Sequence, residues 1–359
     1  MKLVLVGGFL GAGKTTLLWS AARRLLEDDL QVGLVTNDQA DGLVDTALLS
    51  QQGFAVREVT GSCFCCNFHG LVDAVQELLD DVNPDIILAE PVGSCADVSA
   101  TVVRPLKAGY GADFTVCPFT VLADPARLRE LAEGREAAFH PDAAYIFRKQ
   151  LEEADHIALN KVDELDGTTA ERLRGQLRER FPSRPVHWIS ALQGEGVGLW
   201  LNAVLSGGEA GGQPLDIDYE RYAEGERRMG WLNAVVELAT DEGPLRWDEY
   251  CRKLLERLQE RWREGGHAVG HVKLLLSDGQ GHCVGNITGR RAAISLESSL
   301  KGSASEASMT LNARVQEPPD GLEATVRQAL EETGAANVTH ALRELECFRP
   351  ARPEPTYRL

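Results

Sequence analysis

Eight consecutive residues, Gly8-Phe9-Leu10-Gly11-Ala12-Gly13-Lys14-Thr15, fit the pattern G-x-x-x-x-G-K-[ST] at every fixed position. Glycines at these places let the backbone wrap round phosphate, so that successive N–H groups and a following helix N-terminus face negative charge. Lys14 then neutralises the β and γ phosphates, and the Thr15 hydroxyl is placed to hold Mg²⁺. Gly8, Gly11, Ala12, Gly13, Lys14, Thr15 and Thr16 are thus the candidate phosphate cradle. Chance alone would produce the bare pattern in roughly one chain in a hundred of this size. The flanking residues lower that further. Leu3-Val4-Leu5-Val6 reads as a buried strand, and Thr16-Leu17-Leu18 with Ala21, Ala22, Leu25 and Leu26 reads as a helix with one apolar stripe.

Acids at later strand ends complete the candidate chemistry. Asp85-Ile86-Ile87-Leu88-Ala89 leads into Glu90, where a nucleotide-hydrolysing site needs a carboxylate for the Mg²⁺ water shell or the attacking water. Gly93 is placed for close backbone approach to the γ-phosphate. The strand Gln31 to Thr36 ends in Asn37-Asp38-Gln39-Ala40-Asp41, making Asp38 and Asp41 either contacts to Mg²⁺ and its waters or plain helix-start residues. Asn160-Lys161-Val162-Asp163 follows another strand. One carboxylate at Asp163 can accept from both N1–H and the 2-amino group of guanine, a donor pair that adenine lacks. Asn160 would brace the loop and the base edge, and the Lys161 stem would lie along the ring. Pro185 to Ala191 reads as a strand ending in a small turn at Ser190 and Ala191, expected to offer a backbone N–H to guanine O6.

Three thiols within four positions form a different site. Cys63, Cys65 and Cys66 supply soft donors to one ion and suit Zn²⁺, Cu(I) or a related late transition metal. A single local cluster leaves a fourth ligand to solvent, a partner or His69, and His69 reads equally as the start of the next helix. His267 and His271, four apart on an expected strand, lie near His282 and Cys283; packing or exposed histidines explain them more simply than a second metal site.

The elements that must position these residues alternate strand and helix as far as Leu205, the order of an α/β domain with a mainly parallel sheet flanked by helices. Residues 206–218 have the composition of a Gly-rich linker. Beyond it, Trp231 to Leu238, His271 to Leu276, Cys283 to Thr288 and Met309 to Val315 read as strands. Trp247, Tyr250, Leu254, Leu255, Leu258 and Trp262 form a helical stripe, and Leu322 to Glu332 a second helix. The expected organisation is therefore a first domain over 1–205, a linker over 206–218 and a smaller C-terminal α+β domain over 219–348. A Pro/Arg-rich extended tail over 349–359 is expected to dock on a partner. Net charge is -17 and pI near 5.0, which argues against nucleic acid or an anionic membrane as partner. No apolar run reaches membrane-spanning length and no cleaved signal precedes the first strand, so a cytoplasmic protein is expected. Eight cysteines in that reducing setting do not read as a disulfide framework.

Taken together, Gly-Phe-Leu-Gly-Ala-Gly-Lys-Thr-Thr at 8–16, Cys-x-Cys-Cys at 63–66, Glu90-x-x-Gly93 and Asn160-Lys161-Val162-Asp163 resemble the CobW/HypB/UreG class of P-loop GTPases, most of all its CobW-type metallochaperones. The resemblance implies GTP and Mg²⁺ on the loop, Zn²⁺ or Co²⁺ on the cysteines, and hydrolysis, with Lys14, Glu90 and Asp38 as catalytic residues, that drives metal delivery to a client metalloprotein. A nucleotide-dependent homodimer is a further candidate partner state. The alternative is a nucleotide-driven activator or assembly factor for a metalloenzyme or corrinoid protein, with structural or redox-active cysteines. Two positions depart from the family pattern. Ser62 stands before the first Cys where Gly is usual, and Asn37-Asp38-Gln39-Ala40 replaces Asn-Glu-Phe-Gly.

Overall fold

The computed structural model describes residues 1–39, 44–51, 53–132, 139–208, 210–212, 214–241, 243–289, 292–334 and 337–359. Asp41 lies outside the described residues. The chain forms two compact units: Met1–Gln39 with Leu49–Gly225 and Arg352–Leu359, and Ala40–Leu48 with Glu226–Ala351.

In chain order the first unit begins with β1 (Lys2–Gly8), α1 (Lys14–Glu27), β2 (Val32–Asn37), α2 (Val44–Gln51, whose first turn counts with the second unit), β3 (Ala55–Val59), α3 (Phe68–Val82) and β4 (Ile86–Ala89). A buried π-helical stretch over Ser99–Val103 leads to α4 (Arg104–Tyr110), β5 (Thr115–Val116), β6 (Thr120–Ala123), α5 (Pro125–Ala132), α6 (Pro141–Glu153) and β7 (His156–Leu159). α7 (Gly167–Arg180), β8 (Val186–Trp188), α8 (Val197–Leu205) and α9 (Tyr219–Arg227) follow. The sheet order is β3-β2-β4-β1-β6-β7-β8, with β5 also on β1, and every pair is parallel. Strands buried on both faces are what such a sheet requires, and Leu3, Val4, Leu5 and Val6 of β1 have no exposure at all. The stripe of α1 packs with Trp200, Leu201 and Val204 of α8 against one face. β5 and β6 are separate strands, because Pro118 between them has no N–H to give the ladder.

The carboxyl ends of these strands hold nearly every candidate residue: β1 runs into the glycine loop, β2 into Asp38, β3 into the cysteine loop, β4 into Glu90 and β7 into Asn160. The amino-proximal part of the sheet makes its own prediction. His187 Nε2 lies 3.1 Å from His156 Nδ1 across the β7–β8 pair. Burial first, and then the neighbouring His156, push His187 down to about 4. An unfolded chain takes up that proton near its ordinary value of 6.5, so this pair's contribution to stability is full above that pH and lost as pH falls towards 4. Denaturant midpoints measured from pH 4 to 8 should fall on the acid side, and a His187→Gln variant should fall less steeply. Parallel curves would remove the histidine pair as the cause.

The second unit is an antiparallel sheet built from β9 (Gly230–Thr240), β10 (Val269–Ser277), β11 (His282–Ile287), β12 (Ser295–Ser298), β13 (Glu306–Val315) and β14 (Val338–Phe348), in the order β12-β11-β10-β13-β9-β14. α10 (Trp247–Glu264) and α11 (Pro319–Gly334) pack on it, and the helical stripe Trp247, Tyr250, Leu254, Leu255, Leu258 and Trp262 lies in that core. Other sheet residues are polar and buried, as Asn233 and Asn312 are, or half-buried, as Lys273 is. Asn312 Nδ2 donates to Asn233 Oδ1, Asn312 Oδ1 accepts from Val44 N–H, and Lys273 pairs with Asp45.

These units differ from the expected domain boundaries. The first continues through residues 206–218 to Gly225, because Arg104 donates to the carbonyls of Gly211 and Gly212 while Asp155 accepts their N–H groups. Arg352–Leu359 returns to the first unit.

Candidate nucleotide and metal site

The glycine loop is closed by contacts from three strand ends. Gly13 has φ +92°, and a Cβ there would stand 2.4 Å from Asn160 Nδ2, so only glycine fits without displacing that side chain. Asn160 Nδ2 donates to Ala12 O at 2.8 Å, and its Oδ1 accepts from Ala191 N–H at 2.9 Å. Lys14 Nζ donates to Gly8 O at 3.0 Å, and Thr16 follows in the first turn of α1. A Cβ on Gly93 would lie 3.0 Å from Lys14 Nζ and 2.7 Å from Leu10 Cδ2, so the segment after Glu90 lies against the loop.

Thr15 Oγ1 donates to Glu90 Oε1 at 3.0 Å and lies 3.2 Å from Oε2. A hydroxyl and a carboxylate side by side at the edge of a phosphate loop form the hard oxygen donor set that Mg²⁺ takes, so the residues fit that ion. Asp38 is buried at the end of β2, the neighbour of β4, and its Oδ1 accepts from Gln39 N–H, so it shapes the turn after β2. Lys161 Nζ pairs with Asp124 Oδ2 at 2.6 Å, which fixes the Lys161 stem through the turn after β6. Asp163 is exposed in a single 3₁₀ turn over Val162–Glu164. At the turn of Ser190 and Ala191, Ser190 N–H goes to Glu195 O and Ala191 N–H to Asn160 Oδ1, so both amides brace the loop beside Asn160.

The three loop thiols converge as the spacing predicts. Their sulfurs lie within 4.8 Å of one another: 2.9 Å for Cys63 to Cys65, 3.6 Å for Cys63 to Cys66 and 3.7 Å for Cys65 to Cys66. Four sulfurs held at about 2.3 Å round a tetrahedral zinc stand about 3.8 Å apart, so two of the three separations already match that geometry. None of the described cysteines is in a disulfide. Interaction with Cys63, together with burial, holds the Cys66 thiol up at about 11. His69 is not in the cluster; its Nε2 faces the Tyr357 hydroxyl at 3.4 Å. His267 precedes β10 and does not share its strand with His271, since its Nδ1 meets Gln316 O, while His282 Nδ1 lies near Ser299 Oγ. Among the described residues, the cysteine loop is the one metal-ligating group of this kind.

Three features were not anticipated from the sequence. Asn37 is a junction: its Oδ1 accepts from Phe64 N–H at 2.9 Å and from Val92 N–H at 3.4 Å, and its Nδ2 donates to Val59 O and Ser62 O. A lone Asn at a strand end was its only signal. Cys95 Sγ lies 3.7 Å from Cys65 Sγ. The tail, expected to be extended and bound to a partner, crosses the cysteine loop of its own chain. Glu354 N–H donates to Cys66 Sγ at 3.2 Å, Thr356 N–H to Cys65 O and Thr356 Oγ1 to Cys66 O, while Tyr357 stacks edge-on with Phe68.

A parallel sheet with a glycine loop at its central strand, braced by Asn160 and facing Glu90 through Thr15, defines the P-loop class of nucleotide-binding proteins. The sequence pattern of the CobW/HypB/UreG nucleotide-binding domain matches residues 2–187, and the chain belongs to that family. Among curated relatives, the zinc chaperone CobW of Sinorhizobium sp. is 30% identical over 221 residues, 53% of this chain and 58% of that protein. The zinc chaperone YjiA of Escherichia coli K12 is 26% identical over 194 residues, again 53% and 58%. The chain thus matches little more than half the length of either. Among solved structures, Zn(II)-bound YjiA GTPase from E. coli aligns over 92% of this chain and 99% of its own with 17% identity and a TM-score of 0.36. HypB from Helicobacter pylori in complex with nickel aligns over 57% and 85%, with 17% identity and a TM-score of 0.41. Likeness at these scores adds nothing to the fold described above. No helix among the described residues is long and apolar enough to cross a membrane.

Proposed function

We propose that this protein is a cytoplasmic GTPase metallochaperone that couples GTP turnover to binding and delivery of a thiophilic metal, zinc or cobalt, to a client metalloprotein. The observation that carries this reading is the Asn37 junction. One side-chain oxygen accepts from the cysteine loop at Phe64 and from the Glu90 segment at Val92, so neither segment moves without disturbing a bond to the other. In this reading the glycine loop and Lys14 hold the phosphates, Thr15 and Glu90 hold Mg²⁺, and Asp163 selects guanine. Bound there, Mg²⁺ supplies neutralisation of charge on the β and γ phosphates. Glu90 orients the attacking water, with Asp38 the next residue along the same edge. Cys63, Cys65 and Cys66 bind the cargo, each losing its proton to solvent as it does so.

The alternative of redox-active cysteines in an assembly factor is less well supported. Three sulfurs that converge within 4.8 Å of one another offer a donor set to one ion, and none of the described cysteines is paired in a disulfide.

Coupling is the property to test. By linkage, the factor by which a GTP analogue changes metal affinity over GDP must equal the factor by which metal changes nucleotide affinity. Chelator competition in the two nucleotide states should give zinc affinities that differ by roughly fivefold or more. Asn37→Ala should bring the two values together, while Cys63, Cys65 and Cys66 replaced together by Ser should abolish tight binding. Equal affinities in both states of the wild type would leave a metal-binding GTPase without delivery by turnover.

A further inference from the structure

We infer that Cys95 is a fourth thiolate of the metal site, closing it as a four-sulfur shell, and that the shell is opened from the nucleotide side. The inference rests on the metal-delivery reading and deepens it. Cys95 is buried, and its Sγ stands 3.7 Å from Cys65 Sγ. That separation is the same as between Cys65 and Cys66 and close to the edge of a zinc-sulfur tetrahedron, about 3.8 Å; Cys95 stands outside the set of sulfurs that all lie within 4.8 Å of one another, so the shell closes by an inward shift of its Sγ. Three sulfurs from one tight loop and one from a separate segment give zinc the ligand count of a closed site with no place for water.

The Cys95 backbone is held as a ligand's backbone must be. Its N–H donates to Val92 O, and Gln150, itself buried, donates from Nε2 to Gly93 O at 3.0 Å and to Cys95 O at 2.8 Å. Ala96 N–H donates to the Tyr222 hydroxyl. The tail spans both halves of the shell. Thr356 and Glu354 engage the loop at Cys65 and Cys66, and Arg358 Nε pairs with Asp97 Oδ2 at 2.7 Å, two residues beyond Cys95.

The position of Cys95 gives it a role that the loop cysteines cannot have. Gly93, which lies against Lys14 and the phosphate loop, is two residues away and shares the Gln150 clamp. A displacement of Gly93 by the γ-phosphate therefore moves Cys95 directly and reaches the three loop cysteines only through the Asn37 junction. Cargo would be held by four sulfurs in one nucleotide state and by three in the other, the second open to a client's ligand.

X-ray absorption at the zinc edge of the GDP-bound wild type should give four sulfur neighbours. With Co²⁺ as probe, the sulfur-to-metal charge-transfer band of Cys95→Ser should lose the intensity of one thiolate, and zinc affinity should fall by roughly a hundredfold. Cys117→Ala, which removes a buried thiol elsewhere in the core, should leave both unchanged. Three sulfurs and one lighter neighbour in the wild type, or a Cys95→Ser spectrum identical to wild type, overturns the fourth ligand and leaves the three-thiol metallochaperone standing. Wild type that binds neither Zn²⁺ nor Co²⁺ overturns both. The absorption measurement needs no variant, so misfolding of Cys95→Ser cannot mask the result.

Discussion

GTP is expected to bind on the order of 10⁴ times more tightly than ATP, because a carboxylate at Asp163 meets two donors on guanine and a repelling lone pair on adenine. The scaffold needed to hold that carboxylate is already formed. Asn160 ties the loop of residues 160–163 to Ala12 and to Ala191, and Lys161 is held by Asp124, so Asp163 leaves a fixed 3₁₀ turn. An interaction that is prepaid in this way discriminates by the full cost of leaving it unmade. Asp163→Asn exchanges acceptor for donor and should move preference to xanthine nucleotides with little loss of fold, since the side chain is exposed. Competition binding in Mg²⁺ buffer reads both. Equal affinity for GTP and ATP in the wild type would dismiss Asn160-Lys161-Val162-Asp163 as a base reader.

Hydrolysis should fall by about 10² to 10³ in Glu90→Gln while GTP binding is kept. The amide still accepts from the Thr15 hydroxyl, so the local geometry survives. It carries no charge to steady Mg²⁺ or to take up a proton from water. Lys14→Ala supplies the contrast, losing binding itself through the loss of the phosphate-facing charge. Single-turnover release of phosphate, measured at saturating GTP, separates the two effects. Unchanged turnover in Glu90→Gln would transfer the role along the edge to Asp38.

Much of this site can be read in the sequence because its motifs are local. A glycine loop, a strand-end acid and N-K-x-D each occupy a few consecutive residues, and a parallel sheet brings their ends to one edge whatever lies between. Contacts between distant segments leave no such trace. Cys95 is alone in its stretch and thirty positions from Cys65, and Asn37 looks like any polar residue that ends a strand. β14 escaped because Arg343, Glu344 and Glu346 interrupt its apolar alternation, and β12 because Ser295, Glu297 and Ser298 leave it almost no apolar face. Composition marked the tail as Pro/Arg-rich but could not show what it meets, the loop at residues 63–69 of the same unit.

That returning tail bears on how such a chain can be inherited and cut. Arg352–Leu359 counts with the first unit although the whole of β9 to β14 precedes it, and Ala40–Leu48 counts with the second although β2 and β3 flank it. A frameshift or a protease nick late in the second unit would therefore reach back and uncover Cys66, even with the nucleotide loop untouched. The two units are not separable modules joined end to end. A lineage that lost the second sheet would have to evolve a new cover for its thiols, and one that merely swapped the sheet would have to keep the last eight residues in step with the cysteine loop.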